Sequence, residues 1–248
     1  MIVAALVPAA GRGQRLGGEV PKAFRLLGGA PLLVHAVGAL LGSRYVTQVV
    51  VAVPADRVEQ AGRLFDPPVS VVPGGAARQD SVASALAALP AEVDVVLVHD
   101  AARPLVPVAV VDAVAEAVLA GAAAAVPVLP VVDTLKRVDA AGLVTETVAR
   151  EPLRVVQTPQ GFRREVLSRA HAAADPAAPA TDDAGLVERL GVTVCTVAGS
   201  DEAMKITRPF DLAVAEAILR TRGPTPIMAA TRTSAAGHGH ERRLHDQR

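Results

Sequence analysis

The first stretch able to do chemistry is Pro8-Ala9-Ala10-Gly11-Arg12-Gly13-Gln14-Arg15, followed by Pro21-Lys22. Small residues leave backbone N–H groups free to wrap anionic oxygens. Arg12, Arg15 and Lys22 add cations beside them. Phosphoryl and nucleotidyl transfer need this combination, because they depend on positioning and charge stabilisation rather than covalent help. Gly11-Arg12-Gly13 also suggests a dinucleotide fingerprint, but Leu16 stands where the third glycine or alanine is expected. No Gly-Lys-Ser/Thr follows, which excludes a P-loop. The loop is expected to hold a nucleotide triphosphate.

Three further stretches carry polar groups on small-residue loops. Asp100, in His99-Asp100-Ala101-Ala102-Arg103-Pro104, leaves an apolar run. It is placed to meet a ribose hydroxyl or Mg²⁺, which usually takes one or two carboxylates plus substrate phosphates. His99 reads as structural. Gly74-Gly75-Ala76-Ala77-Arg78-Gln79-Asp80-Ser81 lets backbone approach a base closely, with Ser81 able to read a pyrimidine edge. Lys205, between Met204 and Ile206, is a charge in an apolar stretch that needs a partner, and a phosphate would serve. Asp133-Thr134-Leu135-Lys136, Arg150, Thr158-Pro159-Gln160 and Thr181-Asp182-Asp183 carry polar groups with no evident local task, although Thr-Asp-Asp also makes a good helix start.

The elements that must position these residues follow from hydrophobic periodicity. Apolar runs at 2–7, 49–53, 69–72, 93–98 and 123–128 read as buried strands. They alternate with helical patterns at 31–41, 56–65 (capped by Asp56), 79–89 and 107–119, which implies a mostly parallel sheet flanked by helices, a Rossmann-like α/β fold. Loops after the first, third and fourth strands would then share one edge, where such sheets bind ligands. At Pro130 the rhythm changes: 131–138 and 142–148 read as a hairpin, part of an arm over about 131–157 that is too small for a core of its own. A second subunit is the natural thing for it to pack against. A strand at 154–158, a helix at 163–173, a helix to about 190, a strand at 192–197 and a helix at 209–220 follow. One domain over 1–222 is expected, with 223–248 reading as a disordered tail.

Composition narrows the classes. Of the 248 residues half are hydrophobic, so a large core is available, and the formal net charge of zero argues against a general polyanion binder. The only aromatics are Phe24, Tyr45, Phe65, Phe162 and Phe210, too few for base-stacking platforms, so no nucleic-acid partner is expected. Cys195 is the lone cysteine, which fits a reducing compartment, and a cytoplasmic location is expected. The apolar start lacks the charged flank of a signal segment, and no run is long enough to span a bilayer. Among 25 cationic side chains only Lys22, Lys136 and Lys205 are lysines. In so arginine-rich a chain these positions favour a compact ammonium.

Taken in order, these motifs resemble the 2-C-methyl-D-erythritol 4-phosphate cytidylyltransferases over residues 2–222. The resemblance implies that the acceptor 4-phosphate attacks the α-phosphorus of CTP, with Mg²⁺ present and pyrophosphate leaving, in non-mevalonate isoprenoid synthesis. It implies Arg15 and Lys22 as catalytic residues. Arg150 and Lys205 would hold the acceptor phosphate, assisted by Thr134, Arg103, Thr158 and Thr181. Ala9, Ala10, Gly11, Gly75, Ser81, Asp100 and Ala101 would bind the nucleotide. The hairpin would be a homodimer arm, bringing Thr134 and Arg150 to the neighbour's site. Ala76 stands where relatives often carry a polar residue, and Asp201 or Glu202 would supply an acidic partner near Lys205. A ribitol 5-phosphate or other polyol-phosphate cytidylyltransferase is the nearest alternative. An NAD-dependent dehydrogenase or a non-catalytic nucleotide-binding module is more distant.

Overall fold

The computed structural model describes residues 1–11, 20–175, 178 and 180–222. The chain runs β1 (Ile2–Pro8), β2 (Leu26–Leu27), β3 (Ala30–Pro31), α1 (Leu32–Leu41), β4 (Val46–Val53), α2 (Val58–Gly62), β5 (Val69–Pro73) and α3 (Arg78–Ala87). It continues β6 (Val93–Val98), α4 (Val108–Leu119), β7 (Ala124–Pro130), β8 (Leu135–Val138), β9 (Val144–Val148), β10 (Arg154–Val156) and β11 (Gln160–Arg163). The last elements are α5 (Arg164–Ala172), α6 (Asp183–Arg189), β12 (Val194–Ala198) and α7 (Pro209–Arg222).

Eight strands form one sheet in the order β10-β7-β11-β6-β1-β4-β5, with β12 also paired to β7. Neighbours among β6, β1, β4 and β5 are parallel, and β11 runs antiparallel to both β6 and β7. The central strands β1, β4 and β6 are buried on both faces, as their unbroken apolar runs require, whereas β10 at the edge is exposed. Val3, Ala5 and Val7 enter the core that contains Leu33, Val37 and Val114. Ala4 and Leu6 point the other way, into the core with Val82, Leu86, Phe162 and Leu167. Alternation along β1 therefore builds a helix–sheet–helix sandwich. A smaller cluster of Leu27, Leu32, Leu105, Ile206 and Ala215 fixes α7.

β8 and β9 pair with each other in a separate two-stranded sheet, joined by a turn with Gly142 at φ +80. Val138, Leu143 and Val144 on this hairpin are exposed, as is Val132 before it.

Several boundaries differ from the sequence reading. The helix expected at 56–65 is a 3-10 turn over Ala55–Arg57 followed by α2, and Asp56 makes no capping bond. The strand expected at 154–158 is β10, which stops at Val156; Gln157 N–H still donates to Pro127 O at 2.8 Å, and its side chain clasps the backbone of Ser200 through both its amide atoms. β11 has no counterpart in the sequence reading. Its Gly161 is required by packing, since a Cβ there would lie 2.6 Å from Val114 Cγ1. The last helix extends to Arg222, and the tail 223–248 lies outside the described residues.

Candidate active site

The carboxyl ends of β1, β5 and β6 open on a shared cleft of about 300 Å³. Its walls are the Pro8–Gly11 segment after β1, Lys22 and Ala23, Arg78 and Ser81 at the start of α3, Asp100–Ala102 after β6, and Lys205. The three loops expected to share an edge do so. A larger, mostly apolar cavity of about 640 Å³ lies between α1, the loop after β6 and α7, and holds none of these residues. Chemistry rather than size therefore selects the first.

The backbone of the cleft is fixed locally. Ala9 N–H donates to Ala52 O at 2.7 Å, tying the β1 loop to β4, and Gly74 N–H donates to Val53 O at 2.7 Å. Gly74 packs so closely that a Cβ would sit 2.7 Å from Ala10 Cβ and 2.8 Å from Ser81 Oγ. At Gly75 a Cβ would collide with Asp80 Cβ. Asp80 accepts from Ala77 N–H at 3.0 Å and so closes the first turn of α3. Gly75 lies behind the cleft wall, where its N–H donates to Ser81 Oγ at 3.2 Å, and that hydroxyl donates to Ala77 O at 3.1 Å.

Asp100 is the electrostatic centre. Its Oδ1 accepts from Arg78 Nε at 3.1 Å and its Oδ2 from Lys205 Nζ at 2.7 Å. Burial pushes the Asp100 pKa up, but Arg78 and then Lys205 outweigh it and hold the carboxyl well below the usual range. The partner of Lys205 is thus Asp100, and the expected Asp201 or Glu202 is not needed: Glu202 pairs with Arg222 instead. Sequence reasoning places Arg78 in a motif but gives it no task in the site. It bridges Asp100 to Asp183, whose Oδ2 accepts from its Nη1 at 2.6 Å.

A second chain of bonds holds Asp100 from behind. Its N–H donates to Thr158 Oγ1 at 3.0 Å, and that hydroxyl lies 3.0 Å from His99 Nδ1. His99 Nε2 donates to Arg103 O at 3.1 Å. A carbonyl can only accept, so Nε2 carries the hydrogen and Nδ1 accepts from Thr158. Burial lowers the His99 pKa to about 4, which keeps the ring neutral in this arrangement. His99 is fully buried and makes structural bonds on both nitrogens.

The acceptor-side residues of the sequence reading are placed unequally. Lys205 lines the cleft. Thr158 supports Asp100 from below, and Arg103 donates to Ala203 O at 2.7 Å and Val156 O at 3.2 Å, so both act on the scaffold. Thr134 and Arg150 belong to the arm and do not line the cleft, and Arg150 Nη1 donates to Val132 O. Thr181 is exposed, and Asp182 rather than Thr181 caps α6, accepting from Gly185 N–H at 2.9 Å. Arg15 lies outside the described residues. Among the described residues no cluster of three or more His, Cys, Asp or Glu side chains is gathered to hold a metal ion.

A mostly parallel sheet whose strand ends carry a small-residue loop, a carboxylate and converging cations is the architecture of an α/β nucleotide-binding protein. The family model for 2-C-methyl-D-erythritol 4-phosphate cytidylyltransferase matches residues 3–221, and the chain belongs to that family. A protein of that name from Frankia casuarinae is 59% identical over 222 residues, covering 90% of this chain and 83% of its own length. One from Saccharopolyspora erythraea is 57% identical over 228 residues, covering 88% of this chain and 100% of its own. The crystal structure of the Thermus thermophilus protein of the same name superposes with a TM-score of 0.73 at 42% identity, covering 89% of this chain and 100% of that one.

Proposed function

We propose that residues 1–222 form one catalytic domain that transfers the cytidylyl group of CTP to 2-C-methyl-D-erythritol 4-phosphate, in isoprenoid biosynthesis by the non-mevalonate route. One observation carries the reading: in a chain of this family, Lys22, Arg78 and Lys205 converge with Asp100 on the small-residue loop after β1. An oxygen of the acceptor 4-phosphate attacks the α-phosphorus of CTP. A P–O bond forms there as the α–β bridging bond breaks, its electron pair leaving with pyrophosphate. The products are 4-diphosphocytidyl-2-C-methyl-D-erythritol and pyrophosphate, with no covalent enzyme intermediate.

The roles combine position in the cleft with membership of the family. Backbone N–H groups of Ala10 and Gly11 would meet the nucleotide, and Ser81 would stand on the base side of the cleft wall, with Gly75 supporting it from behind. Lys22, with Arg15, stabilises charge that develops on the α-phosphate and the leaving group. Lys205 lines the cleft beside Asp100, where an ammonium can hold the acceptor phosphate. No helix among the described residues is long and apolar enough to cross a membrane, which suits a cytoplasmic enzyme with small soluble substrates.

The donor set fits a divalent cation held mainly by the triphosphate. Asp100 is the one carboxylate on the cleft wall among the described residues, and its two oxygens accept one bond each from Arg78 and Lys205. A carboxylate offers about four lone-pair sites, so about two remain, enough for one bond to Mg²⁺. When bound, the cation would neutralise phosphate charge.

The arm completes the proposal. It exposes Val138, Leu143 and Val144 on a hairpin too small to bury them itself. A second copy of the chain would cover them, and Thr134 and Arg150 would then serve the partner's cleft in a homodimer.

The test is pyrophosphate release by the purified full chain with CTP, Mg²⁺ and either methylerythritol 4-phosphate or ribitol 5-phosphate. Release with the first is expected. Release with ribitol 5-phosphate alone would overturn the acceptor assignment.

A further inference from the structure

Arg78 has a second anchor that the transfer chemistry does not use. On the side away from Asp100, its Nη1 donates to Asp183 Oδ2 at 2.6 Å. The other oxygen of Asp183 accepts from His171 Nε2 at 2.9 Å. Asp183 is 1% exposed and the His171 side chain 6%, and neither lines the cleft. These residues come from the starts of α3 and α6 and from α5. His171 Nδ1 is buried with no partner, so the ring is committed to the one bond with Asp183.

We infer that Asp183 and His171 are positioning residues for the transfer: His171 orients Asp183, Asp183 fixes the Arg78 fork, and Arg78 fixes the Asp100 carboxylate. This rests on the cytidylyl-transfer reading and deepens its nucleotide side. A guanidinium on a long side chain has many rotamers, and a planar fork gripped at both ends keeps one of them. Held so, Arg78 meets Asp100 through Nε, while Lys205 takes the other oxygen. Asp100 is thereby confined from both sides at the place where the nucleotide ribose and its metal would bind. A buried ion pair is a weak source of stability compared with apolar packing. A chain that runs from the buried His171 ring and Asp183 carboxylate through a partly exposed arginine to a cleft carboxylate is better explained by the orientation it imposes.

The relay is tested by a double-mutant cycle in the full chain, comparing Asp183→Asn, Arg78→Lys and the pair. CTP binding is measured by calorimetry without acceptor, and KM is measured for each substrate. Asp183→Asn should weaken CTP binding roughly tenfold while the acceptor KM stays within about twofold, and the double variant should be no worse than Arg78→Lys alone. Additive losses, or equal effects on both substrates, would overturn the relay. If Asp183→Asn does not fold, the cycle of His171→Leu with Arg78→Lys keeps the Asp183 carboxylate and asks the same question, with a loss of roughly threefold expected and again absent on the Arg78→Lys background. His171→Gln, which keeps an N–H donor, should restore most of that loss. Wild-type chain that fails to bind CTP would remove the functional reading itself, whereas wild-type binding with an additive cycle removes only the relay.

Discussion

Lys205 Nζ lies 2.7 Å from Asp100 Oδ2, and the two residues are 105 positions apart in the chain. The pair joins the segment after β12 to the loop after β6 across the mouth of the cleft. Asp100 is buried, whereas the Lys205 side chain is 42% exposed. Asp100→Asn keeps the shape, removes the charge, and leaves Arg78 and Lys205 facing an amide. Turnover should fall by roughly tenfold to a hundredfold, because charge-assisted bonds become neutral ones. Stability should fall by about 2 kcal/mol, below the full cost of breaking a buried pair because Lys205 can rehydrate. Denaturant unfolding beside steady-state kinetics checks both. A variant with normal turnover would take Asp100 out of the site.

Lys22 lines the same cleft. Removal of one preorganised donor to a transition state slows an enzyme roughly 100- to 1000-fold. Lys22→Ala should show a loss of that size in kcat, with the unfolding midpoint of the wild type. Lys22→Arg should recover little, since a planar fork does not replace a compact ammonium. Near-normal kcat in Lys22→Ala would end its catalytic assignment.

His99 gives a pH dependence with a definite sign. Burial lowers its pKa to about 4 in the folded chain, against 6.5 for the free side chain. Between those values the unfolded chain binds a proton that the folded chain does not. Stability is therefore complete above pH 6.5 and falls as pH drops through the window, by about 2 kcal/mol at pH 5. Asp100 and Asp183 are both shifted downward, so their contributions are lost only at lower pH. His35, also lowered by burial, acts in the same direction as His99. Unfolding curves at about pH 7, 6 and 5 should show a clear slope in the wild type and a smaller one in His99→Asn. Identical slopes would refute the role of His99.

The sheet was legible because its central strands β1, β4 and β6 are buried on both faces and read as unbroken apolar runs, and the loops at 8–11, 74–81 and 99–104 stood out beside them. β11 was not, because Gln160 and Gly161 lack strand character, and Gly161 is set by Val114 on a distant helix. In the site, small-residue loops announced themselves locally. The pairing of Asp100 with Lys205, and of Arg78 with Asp183, is made by the fold across 105 positions each and leaves no local spacing. Lys205 was recognisable as a charge needing a partner, but only the folded chain supplies Asp100 as that partner. His171 sits in an ordinary helical pattern and carried no signal at all.

Thr134 and Arg150 are the residues whose assignment depends most on a second subunit. Within one chain Arg150 holds the base of the arm through Val132 O, away from the cleft. If the arm completes the partner's site, Lys22→Ala and Arg150→Ala homodimers are each defective at both sites. Mixed dimers differ: the site with Lys22 from one subunit and Arg150 from the other is intact, and its twin carries both defects. Random exchange makes half the dimers mixed, so activity should recover to about a quarter of wild type for a two-fold dimer. Exchange is followed by native mass measurement on differently tagged chains, and pyrophosphate release is read on the same mixture. Demonstrated exchange with no gain over the parents would place Arg150 in its own subunit's business and reduce the arm to a contact surface.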